Sequence, residues 1–282
     1  MSWLMISVGV GNKSFNLAAD RVVSQAVSMG TFDKCIALKD PDVLRLVPDL
    51  KSRLFDDNGD VTVGYGFYSW KSRISKLALD GEFGEYDNLL ILDAGCEIFK
   101  SSASLLMLRK YMLASLSQGV LAFTISTPES LFTKKSLFSK FPNLDSGDIT
   151  GQFQSGILFF SGAAGREAVK LWDEIVWQDV ANVDETLGGE RDDFCLHRHD
   201  QSVLSLVLKS LGIVPPLSKP MGLPRGFRSM FACYLQPVWW ARNRTGDSQV
   251  PFLLKLAGSI STIFPSQCAY LLIWISERLT KR

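Results

Sequence analysis

Residues 88–99, NLLILDAGCEIF, join an unbroken apolar run to a carboxylate. The consecutive aliphatic residues 89–92 predict a buried central strand, and that strand would end at Asp93. Gly95 and Glu97 follow closely. A carboxylate at the end of a buried strand costs roughly 2–7 kcal/mol or more if it has no partner. The stretch therefore predicts a ligand site at Asp93, and a metal ion is one candidate partner.

Segments typical of strands and helices alternate on both sides of this stretch. Strands are predicted at 3–11, 34–40, 119–126, 156–162 and 212–217, and helices at 15–29, 69–80, 101–117, 164–178 and 201–211. This alternation predicts an α/β fold with a mostly parallel sheet flanked by helices. Ligands of such sheets bind at the carboxyl ends of the strands, and Asp93 lies at such an end.

The composition narrows the class of protein and its setting. Thirty basic residues nearly balance 29 acidic ones, so a net charge of +1 provides no overall field for nucleic acid, and we expect no nucleic-acid partner. The five cysteines are an odd set without a C-x-x-C pair, which argues against a disulfide framework and indicates a reducing compartment. Residues 1–10 lack the basic region of a signal peptide. The expected location is the cytoplasm.

The amino-acid composition of the chain changes near residue 218. This change predicts a catalytic domain at 1–217 and an appendage at 218–282. The appendage begins as a basic loop and becomes strongly apolar from 252 onward. Its longest clean apolar run, CAYLLIWI at 268–275, falls far short of the ~20 residues that span a bilayer. Two interpretations stay open. Residues 252–282 are either a packed helical appendage or an interfacial segment in peripheral contact with the cytoplasmic face of a membrane.

The stretch 195–212, CLHRHDQSVLSLVLKSLG, places Asp200 and Gln201 at the start of a predicted helix. Asp200 suits an N-cap, but the free N–H groups of a helix start also suit an anion such as a diphosphate, which His199 would support. A zinc site is a further alternative. Its ligands would be His199 with Cys195, His197 and Cys96, although the standard ligand spacings are missing.

Two other stretches carry candidate pocket residues. In GQFQSGILFF, 151–160, polar residues precede a buried strand, and the glycine at 156 would let a ligand approach the backbone closely. In GYGFYSWKS, 64–72, an aromatic cluster suits either the core or stacking on a base, and the lysine after it suits a phosphate. The candidates are Gln154, Ser155, Gly156, Tyr68, Trp70 and Lys71.

Taken in order, the stretches GYGFYSWK, LLILDAGCEI, QFQSGILFF and HRHDQSVLSLV resemble the nucleotide-sugar glycosyltransferases of surface-polysaccharide clusters. These are related to the galactosyltransferase and glycogenin-like group and have a GT-A fold, that of nucleotide-diphospho-sugar transferases. The resemblance covers roughly residues 3–217. It implies a hexosyl or other glycosyl transfer from a nucleotide-sugar donor to a glycan or lipid-linked acceptor. It also implies a divalent cation, manganese or magnesium.

The resemblance, combined with the chemistry of sugar transfer, assigns roles to these residues. Asp93 would hold the metal; Asp200, Gln201 and Gln154 would be catalytic; and Tyr68, Trp70, Lys71, Ser155, Gly156 and His199 would bind the donor. The chain departs from the family pattern because D-A-G replaces D-x-D, which removes the second metal carboxylate. Glu97 lies two residues too far along the chain to replace that carboxylate simply. An alternative function is a nucleotide-binding, membrane-peripheral assembly protein of the same fold without turnover.

Overall fold

The computed structural model describes residues 1–144, 151–216, 236–239 and 241–249. The strands are β1 Trp3–Val8, β2 Lys34–Leu38, β3 Asn88–Asp93, β4 Glu97–Ile98, β5 Val120–Pro128, β6 Gly151–Ser161 and β7 Val238–Trp239. The helices are α1 Lys13–Met29, α2 Asp40–Leu46, α3 Gly64–Phe67, α4 Trp70–Leu79, α5 Ser102–Gln118, α6 Lys135–Phe138, α7 Gly162–Gln178 and α8 His199–Ser210. Short 3₁₀ turns lie at Pro48–Arg53, Glu129–Leu131 and Val180–Asn182.

A sheet with the strand order β2-β1-β3-β6-β5 forms the centre of the fold. β1 is parallel to both β2 and β3, whereas β6 is antiparallel to both of its neighbours, β3 and β5. β5 therefore runs in the same direction as the first three strands, and β6 alone is reversed within this sheet. The prediction of an α/β fold with a mostly parallel sheet is confirmed, with β6 as the exception.

Both faces of the sheet are covered by helices. Successive residues of a strand point to opposite faces, so an unbroken apolar strand supplies two cores. On one face, Leu4, Ile6, Leu89 and Ile91 join a core with residues of α4, α7 and α8. On the other face, Trp3, Met5, Leu90 and Leu92 join a core with residues of α1 and α5.

Several element ends follow from local chemistry. The side chain of Asn12 accepts a hydrogen bond from the backbone N–H of Phe15 at the start of α1, and Gly30 ends that helix with φ 65°. The strand predicted at 212–217 is wrong for residues 212–216, which form no strand. Pro215 and Pro216 have no N–H group to donate to a neighbouring strand, which explains the failure.

Part of the segment that the sequence assigned to the appendage packs against the sheet domain. β7 pairs with β4 in antiparallel fashion, and the backbone N–H of Asn243 donates to the carbonyl of Gly95. The predicted boundary at 217/218 and the apolar segment 252–282 lie outside the described residues. Among the helices of the described ranges, none is both long and apolar enough to cross a bilayer.

Candidate functional site

A cleft of about 580 Å³ lies at the carboxyl ends of β1 and β3, where the strand register places Val8 beside Asp93. It is lined by Val8, Val10, Gly11, Asn12, Phe15, Val61, Thr62, Gly64, Tyr65, Tyr68, Trp70, Asp93, Ala94, Gly95, Arg242 and Arg244. This is the edge at which open α/β sheets bind ligands. Of the residues that the sequence singled out, Tyr68, Trp70 and Asp93 line the cleft.

The aromatic wall of the cleft depends on an unusual backbone conformation. Tyr65, Phe67 and Tyr68 have φ values of 58°, 56° and 58°, in the left-handed region that non-glycine residues rarely adopt. Each such residue costs on the order of 1–3 kcal/mol, and residues of this kind cluster at ligand sites. With this conformation, Tyr65 and Tyr68 line the cleft. Trp70 lines it as well, and its indole Nε1 donates a hydrogen bond to the carbonyl of Gly64, at 3.1 Å.

Behind this wall, a buried lysine lies between two carboxylates. The Nζ atom of Lys71 is 2.8 Å from Oδ1 of Asp93 and 3.8 Å from Oδ2 of Asp200. It also donates to the carbonyl oxygen and to the hydroxyl of Ser155, each at 3.2 Å. The side chains of Lys71 and Asp200 are 2% and 3% exposed, whereas that of Asp93 is 38% exposed. Asp93 is thus the member of the cluster that faces the cleft.

Burial and charge act in opposite directions on the two buried groups of this cluster. Burial alone would lower the pKa of Lys71, but the carboxylates of Asp93 and Asp200 outweigh it and raise that pKa above its ordinary value. Burial raises the pKa of Asp200 to about 7, although Lys71 opposes the shift. Oδ2 of Asp200 has no hydrogen-bond partner among the described residues. Asp200 is therefore a carboxyl group that changes charge near neutral pH.

The reversed direction of β6 brings its polar residues to the same place. Because β6 is antiparallel to β3, its amino-terminal half lies at the carboxyl end of β3, with Ile157 paired to Leu92. The backbone N–H of Ser155 donates to Oε1 of Gln201, at 3.3 Å, and this contact ties the strand to the first turn of α8. Gln154 is buried beside it, and its Oε1 lacks a hydrogen-bond partner among the described residues.

Gly156 leaves the space that the Asp93 carboxylate occupies. A Cβ atom at position 156 would lie 2.9 Å from Oδ2 of Asp93, which is closer than real Cβ atoms approach other atoms. We expect Gly156→Ala to push this carboxylate aside, to weaken ligand binding at the cleft and to lower the melting temperature, because buried Lys71 would lose its 2.8 Å contact with Asp93. Gly188→Ala is the matched control, since nothing lies within 4 Å of its Cβ position. Equal binding by both variants would contradict the expectation.

The two histidines are engaged by the main chain. His197 accepts from the backbone N–H of Lys134, at 3.5 Å, and its Nε2 donates to the carbonyl of Asn182, at 2.9 Å. Burial lowers the pKa of His197 to about 3. His199 donates from Nδ1 to the carbonyl of Val183, at 2.7 Å, and burial lowers its pKa as well. These contacts argue against the zinc alternative, and no three potential ligands gather to hold a metal ion in the described part of the chain.

The interpretation of Asp200 as an N-cap is wrong. α8 begins at His199, and its N-cap is Arg198. Asp200 lies within the first turn, where its backbone carbonyl accepts a hydrogen bond from the indole of Trp172, at 3.1 Å.

His199 has φ 49° and packs its ring against the rings of Phe67 and Tyr68, at centroid distances of 5.6 and 6.1 Å. It does not line the cleft, and its role in donor binding stays a prediction.

Sequence reasoning missed the arginines of the cleft. Arg242 and Arg244, which come late in the chain, are exposed and line the cleft. The guanidinium of Arg244 lies 5.2 Å from the ring centre of Phe15. Residues 241–244, ARNR, belong to the segment that the sequence places in the appendage. Its distance along the chain from Asp93 concealed its place in the site.

A buried carboxylate holds this arginine segment in position. Glu97 is fully buried and accepts hydrogen bonds from Nε2 of Gln25 and Nδ2 of Asn243, each at 2.5 Å, and from the backbone N–H of Gln249, at 2.8 Å. Arg21 lies 3.8 Å away. Glu97 is thus a structural anchor whose oxygens are occupied, and it does not replace the missing metal carboxylate.

The residues around Asp93 do not fit a divalent cation held between carboxylates. The ammonium of Lys71 already occupies the space between Asp93 and Asp200. At Gly95, where the family pattern has its second carboxylate, this chain has no side chain to offer a metal ligand. Asp93 as a metal ligand stays a prediction from the resemblance.

Comparison with known proteins assigns no family to the chain. No family profile and no curated protein matches it. Among solved structures, it is similar to the crystal structure of mouse xyloside xylosyltransferase 1 in its apo form, with 11% sequence identity and a TM-score of 0.44. The similarity covers 87% of this chain and 99% of that chain. The assignment of a function therefore rests on the residues of the cleft.

Proposed function

We propose that the chain is a GT-A-like glycosyltransferase that moves a sugar from a nucleoside-diphosphate sugar to a glycan or lipid-linked acceptor, in the synthesis of a surface polysaccharide. The observation that carries the proposal is the cleft at the carboxyl ends of β1 and β3. It combines aromatic rings, two arginines and the carboxylate of Asp93, with the Lys71 and Asp200 pair directly behind. The motif resemblance of residues 3–217 points to the same activity.

The cleft suits a nucleotide in size and chemistry. Its volume of about 580 Å³ lies within the range of ordinary small-molecule sites. The rings of Tyr65 and Tyr68 offer flat apolar surfaces to a base or a sugar. Arg242 and Arg244 offer guanidinium groups, which match the oxygen geometry of phosphates. These features together favour a nucleoside diphosphate over an uncharged ligand.

The chemistry of sugar transfer gives the remaining residues their roles. As the sugar leaves, negative charge grows on the departing diphosphate, so catalysis needs fixed positive groups or N–H donors there. Arg242 and Arg244 would supply that charge from the rim of the cleft. Asp200 and Gln201, in the first turn of α8, together with Gln154 would act on the donor sugar from behind the cleft wall, since none of the three lines the cleft.

A nucleotide-binding protein of the same fold without turnover is the second candidate. The glycine at position 95 favours it, because the usual second metal carboxylate has no counterpart there. The two candidates differ in one measurement. The enzyme slowly hydrolyses its donor even without an acceptor, whereas the binding protein holds the donor unchanged.

The sequence supports a cytoplasmic location, and we extend the proposal to peripheral contact of residues 252–282 with the cytoplasmic face of the membrane. An interfacial segment would place the cleft near a lipid-linked acceptor.

A thermal-shift screen of UDP, GDP, CMP, dTDP and their sugars tests the proposal. A ligand present at about 100 times its dissociation constant stabilises the native protein by about 2.7 kcal/mol, which raises the melting temperature measurably. We expect Arg244→Gln to reduce the shift caused by the active diphosphate, and to leave the shift caused by its parent nucleoside nearly unchanged. Arg109→Gln, at an exposed position on α5, is the control. The proposal fails if none of these compounds shifts the melting temperature of the unmodified protein.

A further inference from the structure

The arrangement around Lys71 bears on the cation that the sequence resemblance implies. Asp93 and Asp200 come from different elements, yet both point at one ammonium group, with Nζ to oxygen distances of 2.8 and 3.8 Å. A divalent cation shared by the two carboxylates would need the same space. Two positive charges at such short range repel each other, and more strongly in a buried site than in water.

The ammonium is fixed in this position from several sides. Two hydrogen bonds to Ser155 hold it, and the side chain is only 2% exposed. The rings of Tyr68 and Trp70 separate it from the cleft, with their centres 5.5 and 5.6 Å from Nζ. An ammonium held in this way cannot turn into solvent to make room for a cation without disrupting these contacts.

The family's second metal position offers no substitute. Gly95 has no side chain to contribute. Glu97, the next acid along the chain, has its oxygens engaged by Asn243, Gln25 and the backbone of residue 249. Asp93 is therefore the carboxylate that faces the cleft, and one of its oxygens is already paired.

We propose that the Lys71 ammonium takes the place of a divalent cation between Asp93 and Asp200, so that this chain binds its donor without a bound metal ion. Lys71 is a positioning residue, since it is shielded from the cleft and acts by holding Asp93 at the cleft edge. The positive charge that meets the diphosphate comes from Arg242 and Arg244. The part of this inference that concerns the donor rests on the proposed function, whereas the part that concerns the cation does not.

Titration with Mn²⁺ alone, followed by the electron paramagnetic resonance signal of the free ion, tests the inference on the full chain. We expect the unmodified protein and Asp93→Asn to bind equally little Mn²⁺. Lys71→Met removes the ammonium and leaves the two carboxyl groups to a cation, whose charge would keep them ionised as the ammonium does in the parent, so we expect it to bind Mn²⁺ at least about tenfold more tightly than the unmodified protein. The double variant Lys71→Met/Asp93→Asn should lose that gain. Lys76→Met, which removes an exposed ammonium from the same helix, should behave as the unmodified protein does.

Two results would overturn the inference. One is a single Mn²⁺ site in the unmodified protein that Asp93→Asn abolishes, and the other is a folded Lys71→Met protein that binds no more Mn²⁺ than its parent. If Lys71→Met does not fold, the comparison between the unmodified protein and Asp93→Asn decides alone. A nucleotide that stabilises the protein should do so equally in EDTA and in Mn²⁺. If no nucleotide stabilises it, the proposed function fails while the Mn²⁺ titration still decides the inference.

Discussion

Replacing Glu97 with alanine is expected to lower the free energy of unfolding by about 3–5 kcal/mol, because it removes one partner from a buried ionic cluster. The carboxylate is fully buried, and Arg21, only 4% exposed, lies 3.8 Å away. Without Glu97, the guanidinium of Arg21 would stay buried against the carbonyls of Ala94 and Cys96 but would lose its counter-charge. The side-chain amides of Gln25 and Asn243 would each lose an acceptor. Chemical denaturation measures the loss directly.

The same substitution should also weaken nucleotide binding. Asn243 lies between the two cleft arginines in the chain, and it is tied to Glu97 and to the carbonyl of Gly95. Loss of that anchor would free Arg242 and Arg244 from the edge of the cleft. Glu167→Ala, at an exposed position on α7, should change neither property. If Glu97→Ala lost less than about 1 kcal/mol, Glu97 would not be the anchor of this segment.

Replacing Asp200 with asparagine is expected to lower kcat by on the order of 100-fold, equivalent to about 2.7 kcal/mol of barrier. The substitution preserves shape but removes a carboxylate that lies 3.8 Å from Lys71 and beside the predicted sugar-binding residues. Because Asp200 is not the N-cap of α8, the helix itself should be unaffected. Single-turnover measurement of donor consumption gives the rate. A variant with the parental rate would remove Asp200 from the catalytic residues.

The pH dependence of stability gives an independent readout of the same variant. Burial raises the pKa of Asp200 to about 7 in the folded protein, whereas in an unfolded chain the group has a pKa near 3.9. Between these values the folded state holds a proton that the unfolded state releases, so the contribution of Asp200 to stability is full below about pH 4 and is lost as the pH rises through about 7. Asp200→Asn does not titrate. Its stability relative to the parent should therefore increase from pH 4 to pH 8.

Melting temperatures across that pH range measure the difference between the two proteins. Asp192→Asn removes an exposed carboxylate from the loop before α8 and should run parallel to the parent. If the melting temperature of Asp200→Asn also ran parallel to that of the parent, the carboxyl group of Asp200 would be ionised throughout this pH range. Its pKa would then not be raised in the folded protein.

The sequence by itself determined the α/β class, the extent of β3 and the approximate ends of the longer helices. β3 is an example, because four aliphatic residues followed by Asp93 specify a strand buried on both faces and a polar group at its end. It also identified Lys71 and Asp200 as residues of interest, since charged groups next to apolar patterns are unusual. Local periodicity reports burial, and for β3 it reported burial correctly.

Only the tertiary structure decided which residues meet. A strand has the same two-residue period in either direction, so the sequence could not show that β6 is reversed and that Ser155 and Gly156 thereby reach Asp93. The pairing of Lys71 with Asp93 and Asp200 joins three distant elements, and no local pattern encodes it. Burial of Glu97 likewise depends on a segment about 150 residues further along the chain. The hydrophobic pattern around a residue predicts how deeply that residue is buried. Which partner stabilises its charge depends on packing between elements that are remote in the chain.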